Sequence, residues 1–298
     1  MKFMKICCFG SLNIDMVFAV NEFVRPKETI QSKGLSIYSG GKGLNQAIAI
    51  RKSGAQVLMA GSVGSDGKLL LDECDKCGLD RSLVRVLDSS TGTAVIQVND
   101  AGENCIILFD GANKENDEEF IDSVMERLEN GDYLVLQNEI NNLDHIMRSA
   151  KAKGIKIFMN PSPIDERLLK LPLEACDFLI LNEVEGAILS GADDHDDIMK
   201  ELEVKYPDTG IILTLGENGV RYRTESGSGR KSAYRVEAVD TTGAGDAFTG
   251  YFIGMLSRGE GIEKAIEIAQ KAAAISVTRK GASGSIPLVE EVIGFHKF

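Results

Sequence analysis

The strongest candidate for chemistry is a glycine-rich segment that reads DTTGAGD from Asp240 to Asp246 and precedes an apolar stretch typical of a helix. Gly243 and Gly245 therefore lie at a helix start, where backbone N–H groups converge and the helix dipole favours an anion. A carboxylate beside an anion site is unfavourable unless the reaction needs a base, and phosphoryl transfer to an alcohol needs one. The segment predicts an anion hole with Asp246 as base, in preference to a helix cap with a packed glycine turn.

A second glycine-rich stretch reads GGKGLN from Gly40 to Asn45 and opens another predicted helix. It is not a Walker loop, because Gly43 follows Lys42 where that pattern needs serine or threonine. It is not a dinucleotide fingerprint either, because Gln46 stands where the third glycine should be, which disfavours a dinucleotide-dependent dehydrogenase. Lys42 and Asn45 are two polar donors at a helix start, and they suit the recognition of hydroxyl groups.

Polar side chains also follow the predicted strands. Asn13 and Asp15 come after the first strand and alternate onto one face, so both could point at a polyol, although an Asx-rich turn is the alternative. Glu185 lies one helical turn after Asn182, which suits a Mg²⁺ ion held through water, although helix capping explains the same spacing. Thr214 ends another strand, with Gly216 and Gly219 in the turn beyond it. Ligands of open α/β sheets bind at such carboxyl ends.

Short apolar runs alternate with amphipathic stretches along the chain. Six runs read as buried strands: residues 6–9, 57–60, 133–136, 155–159, 178–181 and 211–215. Six stretches read as helices: residues 42–52, 68–76, 142–153, 183–189, 246–257 and 262–278. No linker divides the chain, so we expect one domain over residues 1–298, with a mostly parallel sheet and helices on both faces.

Two regions depart from the alternation of strand and helix. Residues 93–99 and 105–110 read as a hairpin, and residues 15–20 and 29–38 read as two further strands without a helix between them. We expect these strands, within about residues 13–38 and 93–110, to form a small antiparallel sheet that projects from the main one.

The composition is ordinary for a globular chain of 298 residues, with 43% hydrophobic and 26% charged residues. A net charge of −12 argues against nucleic acid as a partner and means that a polyanionic substrate needs a locally built anion site. No apolar run is long enough for a signal-peptide core or a membrane span. Six thinly spread cysteines indicate reduced thiols, so we expect a cytoplasmic enzyme without a membrane partner.

Several features are predicted to carry no chemistry. Cys74 and Cys77 form a lone pair without a second pair or a histidine nearby, and the acidic run at residues 193–197 is predicted to be a solvated loop. Three histidines are scattered, without metal-ligand spacing: His145, His195 and His296.

The two glycine-rich motifs, in this order and spacing, resemble those of the ribokinase-like (PfkB-type) sugar kinases, and the resemblance extends over essentially the whole chain. It implies a three-layer α/β/α sandwich with a mostly parallel sheet, and ATP and Mg²⁺ in phosphoryl transfer, with K⁺ as an activator. It further implies that the small projecting sheet is a lid, and that the lids of two subunits pair in a homodimer.

The resemblance implies a role for each residue that matches a family motif. Six residues match the sugar-binding positions: Asn13, Asp15, Gly41, Lys42, Asn45 and Glu139. Asp246 matches the catalytic base, which also contacts the sugar, and the anion hole is matched by Gly243, Ala244 and Gly245. The nucleotide contacts are matched by Asn182, Thr214, Gly216, Gly219, Gly245 and Gln270, the last standing where a histidine often contacts adenine. Glu185 matches the Mg²⁺-associated glutamate. The K⁺ loop is matched by Asp240, Thr242, Ser276, Arg279, Gly281 and Ser285.

The expected reaction is ATP-dependent phosphorylation of the primary hydroxyl of D-ribose. Asn13, Lys42 and Glu139 together favour a small free pentose, but a kinase of the same family for deoxyribose, fructose or a nucleoside remains an alternative. A non-catalytic sugar sensor would be indicated by an altered Asp246 or a broken anion hole, and both are intact.

Overall fold

The apolar runs of the sequence form the strands of a large sheet in a computed structural model, which describes residues 4–295 and leaves His296 outside. The strands in this range are β1 (Ile6–Phe9), β2 (Asn13–Ala19), β3 (Gly34–Gly40), β4 (Leu58–Gly64), β5 (Asp80–Leu87), β6 (Gly92–Val98), β7 (Asn104–Phe109), β8 (Tyr133–Gln137), β9 (Lys156–Asn160), β10 (Phe178–Asn182), β11 (Gly210–Thr214), β12 (Val220–Thr224) and β13 (Gly227–Lys231). The helices are α1 (Lys42–Lys52), α2 (Lys68–Cys77), α3 (Glu118–Glu126), α4 (Leu143–Ala152), α5 (Glu183–Ser190), α6 (His195–Lys205), α7 (Ala244–Ser257), α8 (Ile262–Ser276) and α9 (Val289–Gly294).

The large sheet has the strand order β13-β12-β11-β10-β9-β8-β1-β4-β5. Its strands are parallel from β5 through to β11, and the hairpin of β12 and β13 adds two antiparallel strands at one edge. Because all the parallel strands end at the same edge, the polar residues that follow β1, β10 and β11 lie along one side of the sheet.

Helices cover both faces of this sheet. In β1, Ile6 and Cys8 belong to one apolar cluster, whereas Cys7 and Phe9 belong to a second. The first cluster is completed by α1, α2, α7, α8 and α9, and the second by α3, α4, α5 and α6. Since neighbouring side chains of a strand point to opposite faces, the two clusters are the two sides of a three-layer α/β/α sandwich, as predicted.

A small sheet with the order β3-β2-β6-β7 lies beside the large one. Its outer pairs, β2–β3 and β6–β7, are antiparallel as expected, but the central pair β2–β6 is parallel, so the small sheet is mixed. The central pair is parallel because β2 follows β1 and β6 follows β5, so both strands begin at the edge of the large sheet where β1 and β5 end. Asn13 of β2 is therefore paired with Gly92, at the start of β6, and with Gly40, at the end of β3.

The prediction of a solvated loop at residues 193–197 is wrong for residues 195–197, which lie in α6, although the acidic side chains of this run are exposed as predicted. Asp194 instead caps α6, and its carboxylate accepts hydrogen bonds from the backbone N–H groups of Asp196 at 2.8 Å and Asp197 at 3.4 Å. Acidic residues in a first helical turn are stabilised by the helix dipole, so this acidic run starts a helix. No helix within residues 4–295 has both the length and the apolarity to cross a membrane.

Candidate active site

The first turn of α7 presents backbone N–H groups to an open site. Gly243 precedes the helix with a φ of +74°, a left-handed conformation that favours glycine, and no side chain caps this end. The N–H of Ala244 donates to the carbonyl of Thr241 at 3.2 Å, so it is already engaged. An anion at this end would therefore bind the N–H groups on either side of Ala244, those of Gly243 and Gly245.

The Asp246 carboxylate lies in this first turn and is only 6% exposed. One oxygen, Oδ2, accepts from Nδ2 of Asn45 at 3.1 Å, and the other, Oδ1, accepts from Nε2 of Gln46 at 2.9 Å. Both amides come from α1, which packs against α7. Asp246 is therefore anchored on each oxygen by a neutral donor, and its remaining lone pairs can accept a proton.

Lys42, at the start of α1, lies among carboxylates. Burial opposes its charge, but the carboxylates of Asp246, Glu139 and Glu185 raise the pKa of Lys42 above its usual value. Glu139 accepts from the backbone N–H of Lys42 at 3.1 Å and from the hydroxyl of Ser11. Burial raises the pKa of Glu139 in spite of these contacts. Ser11 was not predicted from the sequence as part of this group.

Asp15 and Asn13 approach the same group from β2. Burial and the negative charges of Glu139 and Asp246 raise the pKa of Asp15 to about 7. The Asn13 amide is oriented by Asn113, whose Nδ2 donates to Oδ1 of Asn13 at 2.7 Å and whose Oδ1 accepts from a backbone N–H at 3.0 Å. Asn13 therefore has its own Nδ2 left to donate to a ligand. No pattern in the sequence pointed to Asn113, which lies about one hundred residues away.

The predicted sugar-binding residues are thus brought together. Gly41 caps α1, and a side chain there would meet the backbone N of Asn13 at 2.9 Å. At the neighbouring Gly40, a side chain would meet the Asp15 carboxylate. Asn45 joins the group through its hydrogen bond to Asp246. The group combines carboxylates, amides and one lysine, a donor and acceptor set that suits a polyol.

A cavity of about 100 Å³ adjoins Asp246 and extends to the ends of β10 and β11. Its lining includes Lys42, Asn160, Asn182, Glu185, Thr214, Gly243, Gly245 and Asp246. The cavity therefore connects the start of α7 with the polar strand ends that the sequence singled out. One wall of the cavity is formed by the start of α7 and the other by the ends of β10 and β11.

Glu185 adopts the capping arrangement that was the alternative to a metal role. Its carboxylate accepts from the backbone N–H of Asn182 at 3.0 Å and from its side-chain Nδ2 at 2.9 Å, and the Asn182 side chain caps α5 in return. Both Glu185 oxygens thus have a protein donor. Its remaining lone pairs fit water better than a directly bound metal ion. No cluster of three or more acidic, His or Cys side chains that could hold a metal occurs within residues 4–295.

Gly216, Gly219 and Gln270 lie outside the lining of this cavity. Gly216 starts the turn after β11. Gly219 approaches the end of β13, where an added side chain would meet the carbonyl oxygen of Lys231 at 2.0 Å. Gln270 of α8 donates from Nε2 to the carbonyls of Lys231 at 3.4 Å and Ser232 at 3.3 Å. Gly219 and Gln270 are therefore linked through the same segment.

The predicted cation loop is held together by Asp240. Its carboxylate accepts from the backbone N–H groups of Thr242 and Gly281, each at 2.9 Å. Burial opposes the charge of Asp240, but these hydrogen bonds lower its pKa. The segment that contains Gly281 also packs beside Gly243, because a side chain on Gly243 would lie 3.0 Å from the Cα of Ala282. The two parts of the loop thus meet next to the start of α7.

The side chains of the other loop residues point to partners of their own. The hydroxyls of Ser276 and Ser285 donate to carbonyls three residues earlier, each at 2.8 Å. The guanidinium of Arg279 pairs with Glu291. An ion at this loop would therefore be bound mainly by backbone carbonyls.

Comparison with known proteins decides the family. Residues 4–288 match the pfkB family of carbohydrate kinases. The chain belongs to this family. It is therefore a phosphotransferase that acts on an alcohol group of a carbohydrate, and the dehydrogenase alternative is excluded.

Individual pfkB-family relatives are similar over nearly their whole length. The chain is 36% identical to the ribokinase of Haemophilus influenzae, with 96% of each sequence covered. It is 35% identical to the deoxyribokinase of Salmonella typhi, with 97% of each covered. The structure of Arabidopsis thaliana ribokinase complexed with ribose and ATP superposes with a TM-score of 0.86 at 26% identity and covers 98% of both chains.

Proposed function

We propose that this pfkB-family kinase transfers the γ-phosphoryl group of ATP to the primary hydroxyl of D-ribose, giving ribose 5-phosphate. The observation that carries the proposal is the Asp246 carboxylate, buried at the start of α7, anchored by two amides and open to a cavity that reaches Asn182 and Thr214. Similarity to several ribokinases, one of them with a structure complexed with ribose and ATP, supports this choice of acceptor and donor.

The proposed mechanism is an in-line displacement. Asp246 accepts the hydroxyl proton while the sugar oxygen forms a bond to the γ-phosphorus, and the bond from that phosphorus to the bridging oxygen of ADP breaks. The N–H groups of Gly243 and Gly245, at the positive end of α7, stabilise the negative charge on the transferred group. Mg²⁺ would neutralise phosphate charge, and Glu185 would hold it through water because both Glu185 oxygens already accept from Asn182.

The residues proposed to contact ATP lie on the far side of the transferred phosphate. Asn182 and Thr214 end neighbouring parallel strands at the cavity, and Gly216 and Gly219 form the turn beyond. Gln270 acts indirectly in this proposal, because its amide nitrogen holds the carbonyls of residues 231 and 232. Removal of that amide would loosen the segment beside Gly219.

The acceptor is bound by Asn13, Asp15, Lys42, Asn45 and Glu139, with the backbone of Gly41 completing the site. D-Ribose is expected to give the highest kcat/KM in a panel of ribose, 2-deoxyribose, fructose and a nucleoside, measured by coupled ADP release. A buried polar group that loses its hydroxyl partner costs about 1–3 kcal/mol, so 2-deoxyribose should be slower by roughly 5- to 150-fold. Deoxyribose is the second candidate, because a deoxyribokinase is 35% identical to the chain.

Two results of this panel would contradict the proposal. If 2-deoxyribose, fructose or the nucleoside exceeds ribose tenfold, ribose is the wrong acceptor while the family assignment stands. If no sugar stimulates ADP release, the proposed reaction is wrong.

The raised pKa of Asp15 predicts a pH-dependent cost to the stability of the sugar-free protein. The pKa rises from the ordinary carboxyl range to about 7 on folding, so ionised Asp15 destabilises the native state. The sign follows from proton linkage: the cost appears as pH rises from about 4, is complete above about 7, and is absent at lower pH. Asp15→Asn is therefore expected to raise Tm more at about pH 8 than at about pH 5. Equal shifts in Tm at both pH values would contradict the assigned environment of Asp15.

We also propose K⁺ as an activator that is bound by the loop of Asp240, Thr242 and Gly281 beside Gly243. The contacts of Asp240 with both halves of the loop support this, because an ion there would order the start of α7 without touching substrate. Potassium should raise the rate above that in sodium or choline at equal ionic strength. Equal rates in the three salts would remove the cation from the mechanism.

A homodimer that pairs through the small sheet is proposed as well. Strand β7 is an edge strand that is exposed along its whole length, and its apolar residues Ile106 to Phe109 face solvent. Exposed apolar edges favour pairing with another chain. Sedimentation velocity tests this, and a monomer at micromolar concentration would contradict it.

A further inference from the structure

Gln46 is a fully buried side chain whose amide contacts the proposed base directly. Its Nε2 donates to Oδ1 of Asp246 at 2.9 Å and to Oδ1 of Asn160 at 3.2 Å, and its Oε1 accepts from Nε2 of Gln137 at 2.7 Å. Gln46 and Gln137 are both fully shielded from solvent. We propose that Gln46 is a positioning residue for the reaction, and that it fixes the Asp246 carboxylate in the orientation in which it takes the sugar proton. The inference rests on the proposed role of Asp246.

The direction of the amide chain is set by the carboxylate. An ionised carboxylate only accepts hydrogen bonds, so Gln46 must turn its nitrogen to Asp246 and its oxygen to Gln137. Gln137 must then turn its own nitrogen to Gln46, which leaves the Gln137 oxygen buried without a partner. Flipping Gln137 would place two oxygens against each other. The series of amide hydrogen bonds therefore has one consistent direction, which starts at Asp246.

The second amide at Asp246 shows the same pattern. Asn45 gives its nitrogen to Asp246, and its oxygen is buried without a protein partner. A buried acceptor without a donor costs about 1–3 kcal/mol, so an apolar side chain in place of Asn45 or Gln137 would avoid that cost. The unpaired oxygens of Asn45 and Gln137 indicate that the amides are oriented for Asp246 and not for general packing.

This arrangement has a chemical consequence for proton transfer. With one donor on each oxygen, the hydrogen bonds from Asn45 and Gln46 oppose rotation of the carboxylate plane. The two donors also stabilise the ionised form, which is the form that can accept a proton. Loss of the Gln46 donor would leave Oδ1 free to turn and would make the ionised base less stable.

The test uses the full chain with Gln46→Met, which keeps the length of the side chain and removes both its donor and its acceptor. We expect kcat to fall roughly 10- to 100-fold, with the acidic limb of the kcat–pH profile moved to higher pH and the KM for ATP little changed. Gln137→Met touches Gln46 and not Asp246, so it should move the acidic limb in the same direction with a smaller loss of kcat. It also serves as the test if Gln46→Met does not fold.

A double-mutant comparison separates positioning from general structural damage. If Gln46 acts through Asp246, Gln46→Met should cost little more when it is added to Asp246→Asn. An equal loss of kcat in both backgrounds, or an unmoved acidic limb in both methionine variants, would overturn the proposal for Gln46. Near-normal turnover of Asp246→Asn alone would instead overturn the proposed function, so the two failures are distinguishable.

Discussion

Replacing Asp246 by asparagine is expected to lower kcat by at least about 100-fold, because an amide of the same shape cannot take the hydroxyl proton. The variant should remain folded, since Gln46 can still donate to the new amide oxygen, and Asn45, whose Oδ1 has no partner, can turn that oxygen to accept from the new amide nitrogen. Nucleotide affinity should persist, because the backbone N–H groups of Gly243 and Gly245 are unchanged. Turnover and nucleotide affinity are measured on the same purified variant, with circular dichroism as the folding check.

Asp144→Asn provides a matched control. Asp144 also lies in the first turn of a helix, but its side chain is about half exposed and pairs with Arg148. The Asp144→Asn variant should keep full activity. Near-normal turnover of Asp246→Asn would mean that another group takes the proton, and the assignment of the DTTGAGD segment would have to be withdrawn.

Replacing Gly43 by alanine is expected to cause a large loss of stability. The start of α1 lies directly against the chain after β1, and an added Cβ at Gly43 would lie 2.5 Å from both the carbonyl carbon of Gly10 and the backbone N of Ser11. Both contacts are to backbone, so neither can move aside cheaply. Overpacking costs about 1–3 kcal/mol, and we expect about 3 kcal/mol here, a fall in Tm of roughly 5 °C for a chain of this length.

Gly245→Ala is the control for this loss of stability. Gly245 is the second residue of α7, just as Gly43 is the second residue of α1, but nothing lies within 4 Å of a Cβ added there. Alanine in a helix is favoured over glycine by roughly 0.5–1 kcal/mol, so this variant should melt at the same temperature or slightly higher. Equal losses of Tm in the two variants would show that close backbone approach is not the cause.

The large sheet could be predicted because its strands are short apolar runs that are buried on both faces. Residues 6–9 and 178–181 were predicted on that pattern, and both lie within observed strands. Helix ends could be predicted where a glycine closes them, as at Gly78 and Gly191, which both have left-handed φ values.

Elements with weaker patterns were missed. Strand β5 mixes charged and apolar residues at the edge of the large sheet, so it lacks the continuous apolar run of a central strand. Helix α6 begins in an acidic cluster that also fits a solvated loop. Helix α3 was missed although Asp117 caps it, because a single capping residue does not identify a helix.

In the candidate site, glycine-rich motifs were visible because their spacing is local. Ser11, Asn113 and Gln137 were not predicted, since each acts through a partner about 30 to 130 residues away, and only the fold brings the pairs together. For Glu185 the local spacing was visible in the sequence, but its role was ambiguous. Its spacing from Asn182 fitted both a metal role and a cap, and the cap is the contact that the structure contains.

The central place of β1 in the large sheet has a consequence for the synthesis of the chain. One edge of β1 pairs with β4, but the other pairs with β8, so that Ile6 lies beside Tyr133. Chains are synthesised at about 5–20 residues per second, so roughly 4–15 seconds separate the emergence of β4 from that of β8. During that interval the nascent chain carries a fully apolar strand with one unpaired edge. Until β8 pairs with it, that edge of β1 is open to association with other chains.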